Sequence, residues 1–210
     1  MRIIESQDLG IIEHENADSL MKEYQKMRIN DKIPDTLLIC EHPEIVTIGP
    51  RAKNDGIRPP VDYHSTYVDR GGGLTWHGPG QIVVYPIFKW NLEGESNVKS
   101  IINMIEEWVI QSLNSMGIES RRDDRMQGVW IGDNKICSIG LSFLRWTSRH
   151  GFTINYDTPE GRVEMVSGCG LGADTTTSLS KLGFDLTKEQ IIQSLFSNIN
   201  IVNRELVNQD

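Results

Sequence analysis

Apolar residues recur at helical spacing in three stretches of this chain, with short β-rich runs between them. Over 17–29, Ala17, Leu20, Met21, Tyr24 and Met27 fall on one helical face, with Asn16 as the expected cap. Over 97–116, Ile101, Ile105, Trp108, Val109 and Leu113 share a face, and Gly117 follows as a stop. A last helix is predicted over 187–198, where Thr187 and Gln190 have capping-box spacing. Strands are predicted at 36–40, 45–48 and 81–88, then at 128–132, 135–144, 150–156 and 162–166, with a turn at Thr158-Pro159-Glu160-Gly161. Residues 51–66 read as loop, because Asn54-Asp55-Gly56 and Pro59-Pro60 interrupt any period. Helices before and after runs of hairpin-like strands predict an α+β fold with a mixed, largely antiparallel sheet and flanking helices. No repeat or low-complexity linker divides the 210 residues, so a single domain over 1–210 is expected.

Composition narrows the function classes. Lys plus Arg number 21 against 29 Asp plus Glu, a net charge of −8, which argues against nucleic acid as a partner. No window approaches the roughly 18 apolar residues of a membrane span, and the N-terminal MRIIESQDLG turns acidic too early for a secretory signal. A cytoplasmic location without membrane attachment is expected. The charge is uneven: residues 1–50 carry ten acids and five bases, whereas 121–150 carry six bases (Arg121, Arg122, Arg125, Lys135, Arg145, Arg149) and three acids. That basic segment is either a solvated surface or a docking patch for an acidic partner. Cys40, Cys137 and Cys169 are too few and too unevenly spaced for a disulfide framework, and no CxxC or HExxH pattern supports a metal site.

The densest chemical signal is the run from Arg70 to Gln81, with glycines at 71, 72, 73, 78 and 80 and a proline at 79. Glycine costs a helix or strand about 0.5–1 kcal/mol relative to alanine, so this density serves something other than a regular element. A backbone without side chains can approach a ligand closely, while Arg70, Trp76 and His77 add charge, an apolar wall and a titratable donor. No Walker-A lysine follows, so a nucleotide phosphate loop is not supported. The second signal is Ser167-Gly168-Cys169-Gly170-Leu171-Gly172, where glycines put a cysteine on turn-like backbone. Cys40 and Cys137 sit in apolar runs and read as core thiols. A nucleophilic Cys169 needs a cation or base beside it, for which His77, His150 and Lys135 are candidates. Lys135 stands where a turn enters an apolar strand, a position that burial could make less basic; from spacing alone, an ordinary hairpin-end lysine in water is the simpler reading.

Arg70-Gly71-Gly72, Thr75-Trp76-His77-Gly78-Pro79-Gly80-Gln81 and Tyr85-Pro86 resemble the signature of the octanoyltransferases of lipoate biosynthesis. Glu41-His42-Pro43, Thr47-Ile48-Gly49, Gly128-Val129-Trp130, Lys135-Ile136, Ile139-Gly140, His150-Gly151, Ile154-Asn155 and Cys169-Gly170 continue it in the family's order. The resemblance implies a fold related to biotin and lipoate protein ligases. It implies transfer of an octanoyl group from acyl carrier protein to a lysine of the lipoyl domains of 2-oxoacid dehydrogenases or of the glycine cleavage H protein. By position, Cys169 would be the acyl-thioester nucleophile and Lys135 its activating partner. Arg70, Gly71, Gly72, Gly73, Leu74, Thr75, Trp76, His77, Ser138, Ile139, Gly140, Gly151, Phe152 and Thr153 would line the acyl pocket. The chain departs from the family in carrying Gly168 where a proline is usual, Thr153 where alanine is common and Cys137 where a small residue is usual. These changes bear on the cysteine loop and the chain-length preference more than on the reaction class.

The implied chemistry needs no cofactor or metal, since thioester exchange is nearly isoenergetic and aminolysis to an amide runs downhill. Two alternatives remain on the sequence: an ATP-dependent lipoate or biotin protein ligase, and a non-catalytic module that binds medium-chain acyl groups.

Overall fold

Leu37, Leu38, Ile39 and Cys40 form an unbroken apolar run, and the computed structural model, which describes residues 1–166 and 175–207, shows two cores taking alternate side chains. The chain runs β1 (Arg2–Ile11), α1 (His14–Ile29), β2 (Asp35–Glu41), β3 (Ile45–Ile48), α2 (Pro50–Asn54), β4 (Ser65–Tyr67), β5 (Leu74–His77) and β6 (Gln81–Ile87). It continues through α3 (Val98–Asn114), β7 (Val129–Ile131), β8 (Asn134–Leu144), β9 (Thr147–Asn155), α4 (Lys188–Ser197) and β10 (Arg204–Leu206). Seven strands make one sheet in the order β10-β1-β2-β6-β9-β8-β7, and β4-β3-β5 make a second. Leu37 and Ile39 of β2 and Ile82 and Val84 of β6 pack with Ile101, Trp108 and Val109 of α3 and Leu195 of α4. Leu38, Cys40, Val83 and Tyr85 turn the other way onto Ala17 and Met21 of α1. Because both faces are covered, the period-two alternation is apolar on both sides and reads in the sequence as a continuous run.

The large sheet is mixed, with β1 parallel to both β10 and β2 and the β2-β6-β9-β8-β7 ladder antiparallel. The α+β expectation therefore holds. The capping box at α4 is present: the Gln190 N–H donates to Thr187 Oγ1 at 3.3 Å and the Thr187 N–H to Gln190 Oε1 at 2.8 Å.

Several local expectations need correction. The first helix starts at His14 with Glu13 in the cap position, so Asn16 is not its cap. The stretch expected as loop over 51–66 contains α2 and β4, both too short to set up a period. Residues 162–166, expected as a strand, turn instead, with the Arg162 N–H donating to Pro159 O and the Val166 N–H to Val163 O. β8 and β9 join through Arg145-Trp146, with φ +48° and +59°, a two-residue hairpin turn built without the usual asparagine or glycine.

Candidate active site

The glycine-rich loop joins the two sheets. It leaves β4, enters β5 and crosses to β8, where the Gly71 N–H donates to Leu141 O at 2.9 Å. A Cβ added to Gly140 would stand 2.7 Å from Gly71 O and 3.0 Å from Arg70 Cδ, so no larger residue fits at that crossing. The Arg70 guanidinium turns inward: NH2 donates to Thr47 Oγ1 (2.7 Å), Thr47 O (3.0 Å) and Gly73 O (3.0 Å), and NH1 to Gly71 O (3.1 Å). Arg70 therefore shapes its own loop by holding carbonyls that would otherwise be buried.

A chain of hydrogen bonds continues from there. Thr47 Oγ1, which accepts from Arg70, lies 3.1 Å from His77 Nε2, and His77 Nδ1 lies 2.8 Å from Gln81 Oε1. Gln81 Nε2 donates to Trp76 O and to Asn155 Oδ1, both at 2.8 Å, and Asn155 Nδ2 donates to Thr177 O at 2.9 Å. These partners put the His77 proton on Nδ1 and leave Nε2 to accept from Thr47. Burial, together with the neighbouring His42, His14 and Arg70, holds His77 well below the ordinary histidine value, so the ring is neutral at pH 7.

Between the loop and β8 lies a cavity of about 370 Å³, the size of a small-molecule site. Arg70, Gly71, Gly72, Gly73, Leu74, Thr75, Trp76, Ser138 and Ile139 line it, and so does Lys135. His77, Gly140, Gly151, Phe152 and Thr153 line a second cavity instead, which shares Arg70, Thr75, Ser138 and Ile139 with the first. At about 20 Å³ it has room for about one water. The residues expected to form one acyl pocket thus line two adjoining spaces, one roomy and one closed.

Lys135 is not an ordinary hairpin-end lysine. It is 4% exposed, and burial brings its amine down to about 8, with Arg70 acting in the same direction and Cys137 and Glu106 opposing. Its backbone binds the chain at 175–177: the Lys135 N–H donates to Thr175 O at 2.8 Å and the Thr177 N–H to Lys135 O at 3.0 Å. Cys169 lies outside the described residues. On either side of the segment that carries it, Val166 and Thr176 both line the Lys135 cavity. Cys40 and Cys137 are core thiols as expected, each pushed up to about 12 by burial.

The sequence reading missed other parts of the site. Arg51, Asp124, Arg125, Met126 and Gln127 line the larger cavity. Arg51 sits in the stretch read as loop, and Asp124 to Gln127 precede a strand, so no periodic signal marks them. His14 and Val83, also missed, line the smaller cavity beside Tyr85 and the candidate base His150. His14, His42 and His77 cluster with ring centroids 5.3–6.0 Å apart, and His42 Nε2 lies 2.7 Å from the Tyr85 hydroxyl. Burial lowers His14 to about 4 and also lowers His42 and His150. His150 Nε2 lies 2.9 Å from Asp69 Oδ1. Of the three candidate bases, Lys135 alone lines the larger cavity.

The basic segment 121–150 is not the free docking face that its charge suggests. Arg149 is buried between Asp18 and Asp69. Arg122 pairs with Glu106 and Glu107, and Arg121 and Arg125 pair with Asp123.

The fold is that of solved lipoate and biotin protein ligases. The bi-partite lipoate protein ligase of Thermoplasma acidophilum superposes with a TM-score of 0.64 at 13% identity, over 99% of this chain and 88% of that one. The biotin protein ligase of Aquifex aeolicus gives 0.58 at 12% identity, over 95% and 69%. Residues 15–200 match the family model of the lipoyl protein ligase A/B catalytic domain, and an octanoyltransferase of Syntrophobacter fumaroxidans is 35% identical over 195 residues, 90% of this chain and 85% of that protein. The chain belongs to the octanoyltransferases of this family and is an enzyme of the transferase class.

Proposed function

We propose that the protein moves an octanoyl group from the thioester of an acyl carrier protein to a lysine of a lipoyl domain, with Cys169 as nucleophile and Lys135 as proton acceptor and donor. The observation that carries this reading is Lys135 itself. It is a buried amine brought to about 8 in the wall of a 370 Å³ cavity, bonded through its backbone to the chain that follows the cysteine segment. A group with a pKa near working pH can take a proton and return it within one cycle.

In the first half-reaction the neutral Lys135 amine takes the Cys169 proton. The thiolate attacks the donor thioester carbonyl, the carbon–sulfur bond of the donor breaks, and its thiolate leaves with the proton returned by Lys135. In the second, the acceptor amine attacks the Cys169 thioester, Lys135 takes a proton from the attacking nitrogen, and the Cys169 thiolate is expelled and reprotonated. An amide replaces a thioester, no electron is transferred and no cofactor is consumed. The reacting carbonyl belongs in the larger cavity beside Lys135. The acyl chain lies in the same cavity against Leu74, Trp76 and Ile139, where each buried methylene contributes about 0.8 kcal/mol.

For docking, Arg51, and Arg125 through the exposed part of a guanidinium that Asp123 already pairs, replace the segment-wide face suggested by the sequence, because both line the cavity that the donor must enter. Arg51 is exposed, and among the described residues it has no ion-pair partner. An acidic carrier protein and an acidic lipoyl domain would both meet this cationic rim in a chain of net charge −8. The acceptors in this reading are the lipoyl domains of 2-oxoacid dehydrogenases or the glycine cleavage H protein. The protein acts as one catalytic domain in the cytoplasm; no helix among the described residues is long and apolar enough to cross a membrane.

Transfer to a lipoyl domain, measured with octanoyl carrier protein and no ATP, tests the reading. The wild type is expected to be active and Cys169→Ala inactive. Activity of Cys169→Ala that depends on ATP would overturn it in favour of ligase chemistry.

A further inference from the structure

Glu106 is an acid among the largely apolar buried residues of α3, at 4% exposure, and both of its oxygens are engaged. Oε1 accepts from the Gly128 N–H at 2.9 Å, and Oε2 accepts from Arg122 Nε at 3.0 Å. Arg122 is tethered in turn, donating to Asn103 O at 2.7 Å and pairing with Glu107 Oε2 at 2.9 Å. The carboxylate is thus held from the surface side and points its other oxygen inward.

What it holds there is the backbone under the lysine. Gly128 has φ +134°, and a Cβ added to it would stand 2.2 Å from Cys137 O and 2.6 Å from Lys135 Cε. The Lys135 stem therefore lies directly against the Gly128 backbone, which only glycine can supply in this conformation. Among the described residues, the charged and titratable groups acting on the Lys135 amine are Arg70 from the glycine-rich loop, Cys137 from β8 and Glu106 from α3. Arg70 disfavours the ammonium, whereas Glu106 favours it.

We propose that Glu106 is a positioning residue for Lys135: it fixes the Gly128 backbone as the surface on which the lysine stem rests and supplies the negative charge that offsets Arg70. This rests on the reading of Lys135 as the proton shuttle. It also gives a buried acid a task that an apolar residue could not perform, since α3 packs through Ile101, Ile105, Trp108 and Val109 without it.

The test is titration of Lys135 Nζ by heteronuclear NMR in the full chain, with the signal assigned by its loss in Lys135→Arg. Glu106→Gln keeps an oxygen for the Gly128 N–H and removes the charge. Its Lys135 midpoint is expected below the wild-type value near 8, by a few tenths of a unit or more. The pH profile of acylation is expected to move the same way. A Lys135 midpoint equal to that of the wild type would overturn the proposal. If the midpoint moves but the acylation profile does not, the role of Glu106 stands and Lys135 is not the shuttle. Should Glu106→Gln fail to fold, Arg122→Ala approaches from the surface: loss of the guanidinium frees the carboxylate toward Lys135 and raises the midpoint, and an unchanged midpoint again overturns the proposal.

Discussion

Replacing Lys135 by methionine is expected to stabilise the fold while removing the amine on which transfer depends. The side chain is 4% exposed, and its pKa falls from the ordinary 10.5 to about 8, with burial as the largest cause. That difference corresponds to a destabilisation of roughly 3 kcal/mol when the amine is charged in the fold. The sign follows from proton binding. Below pH 8 the folded and unfolded states both hold the proton, and the full penalty is present. Between 8 and 10.5 the folded state has released it while the unfolded state has not, so the penalty shrinks as pH rises. Methionine fills similar space without charge. Urea unfolding of wild type and Lys135→Met is therefore expected to show the variant more stable by up to roughly 3 kcal/mol at pH 7, with the advantage falling steadily between pH 8 and 10.5. A difference independent of pH, or a variant less stable at pH 7, would refute the claim that Lys135 is held in a medium that disfavours its charge.

Alkylation at pH 8 should label Cys169 and spare Cys40 and Cys137, whose thiols are buried and pushed up to about 12; peptide mapping that finds Cys137 labelled in the folded protein would contradict this. Gly140→Ala forces a Cβ to 2.7 Å from the Gly71 carbonyl and should cost about 1–3 kcal/mol, with loss of transfer as the loop is pushed off β8, read by thermal unfolding and activity together. Charge reversal at Arg51 or Arg125 should raise KM for the carrier-protein donor with little change in stability, whereas reversal at Arg149, buried between Asp18 and Asp69, should destabilise the fold by several kcal/mol. Equal effects at all three positions would rule out a docking role for the cavity rim.

How much of this was legible in the sequence varies from element to element. α3 and α4 announce themselves because each buries one face and carries its own cap. β1 does not: Glu5, Ser6, Gln7 and Asp8 break any alternation, and the strand is held by pairing with β10 and β2 rather than by a buried face. α2 has five residues, fewer than two helical turns. The glycine-rich loop could be found from its density alone, because glycine is costly wherever close approach does not demand it. The state of Lys135 was not legible: its neighbours in sequence form a turn, and its burial comes from Gly128 and the chain at 175–177, brought in by the fold. The charge of 121–150 misled for the converse reason. Arg122 and Arg149 are answered by carboxylates from elsewhere in the chain, Glu106 and Glu107 for the first and Asp18 and Asp69 for the second, which no local count includes.

The central claim is that an acyl group rests covalently on Cys169 between donor and acceptor. Intact-mass spectrometry of the protein after incubation with octanoyl carrier protein, without acceptor, tests it most directly. The expected result is a gain of one octanoyl group, mapped to Cys169, absent in Cys169→Ala, slowed in Lys135→Ala and discharged on adding a lipoyl domain. An unmodified protein that nonetheless octanoylates the lipoyl domain would contradict the account.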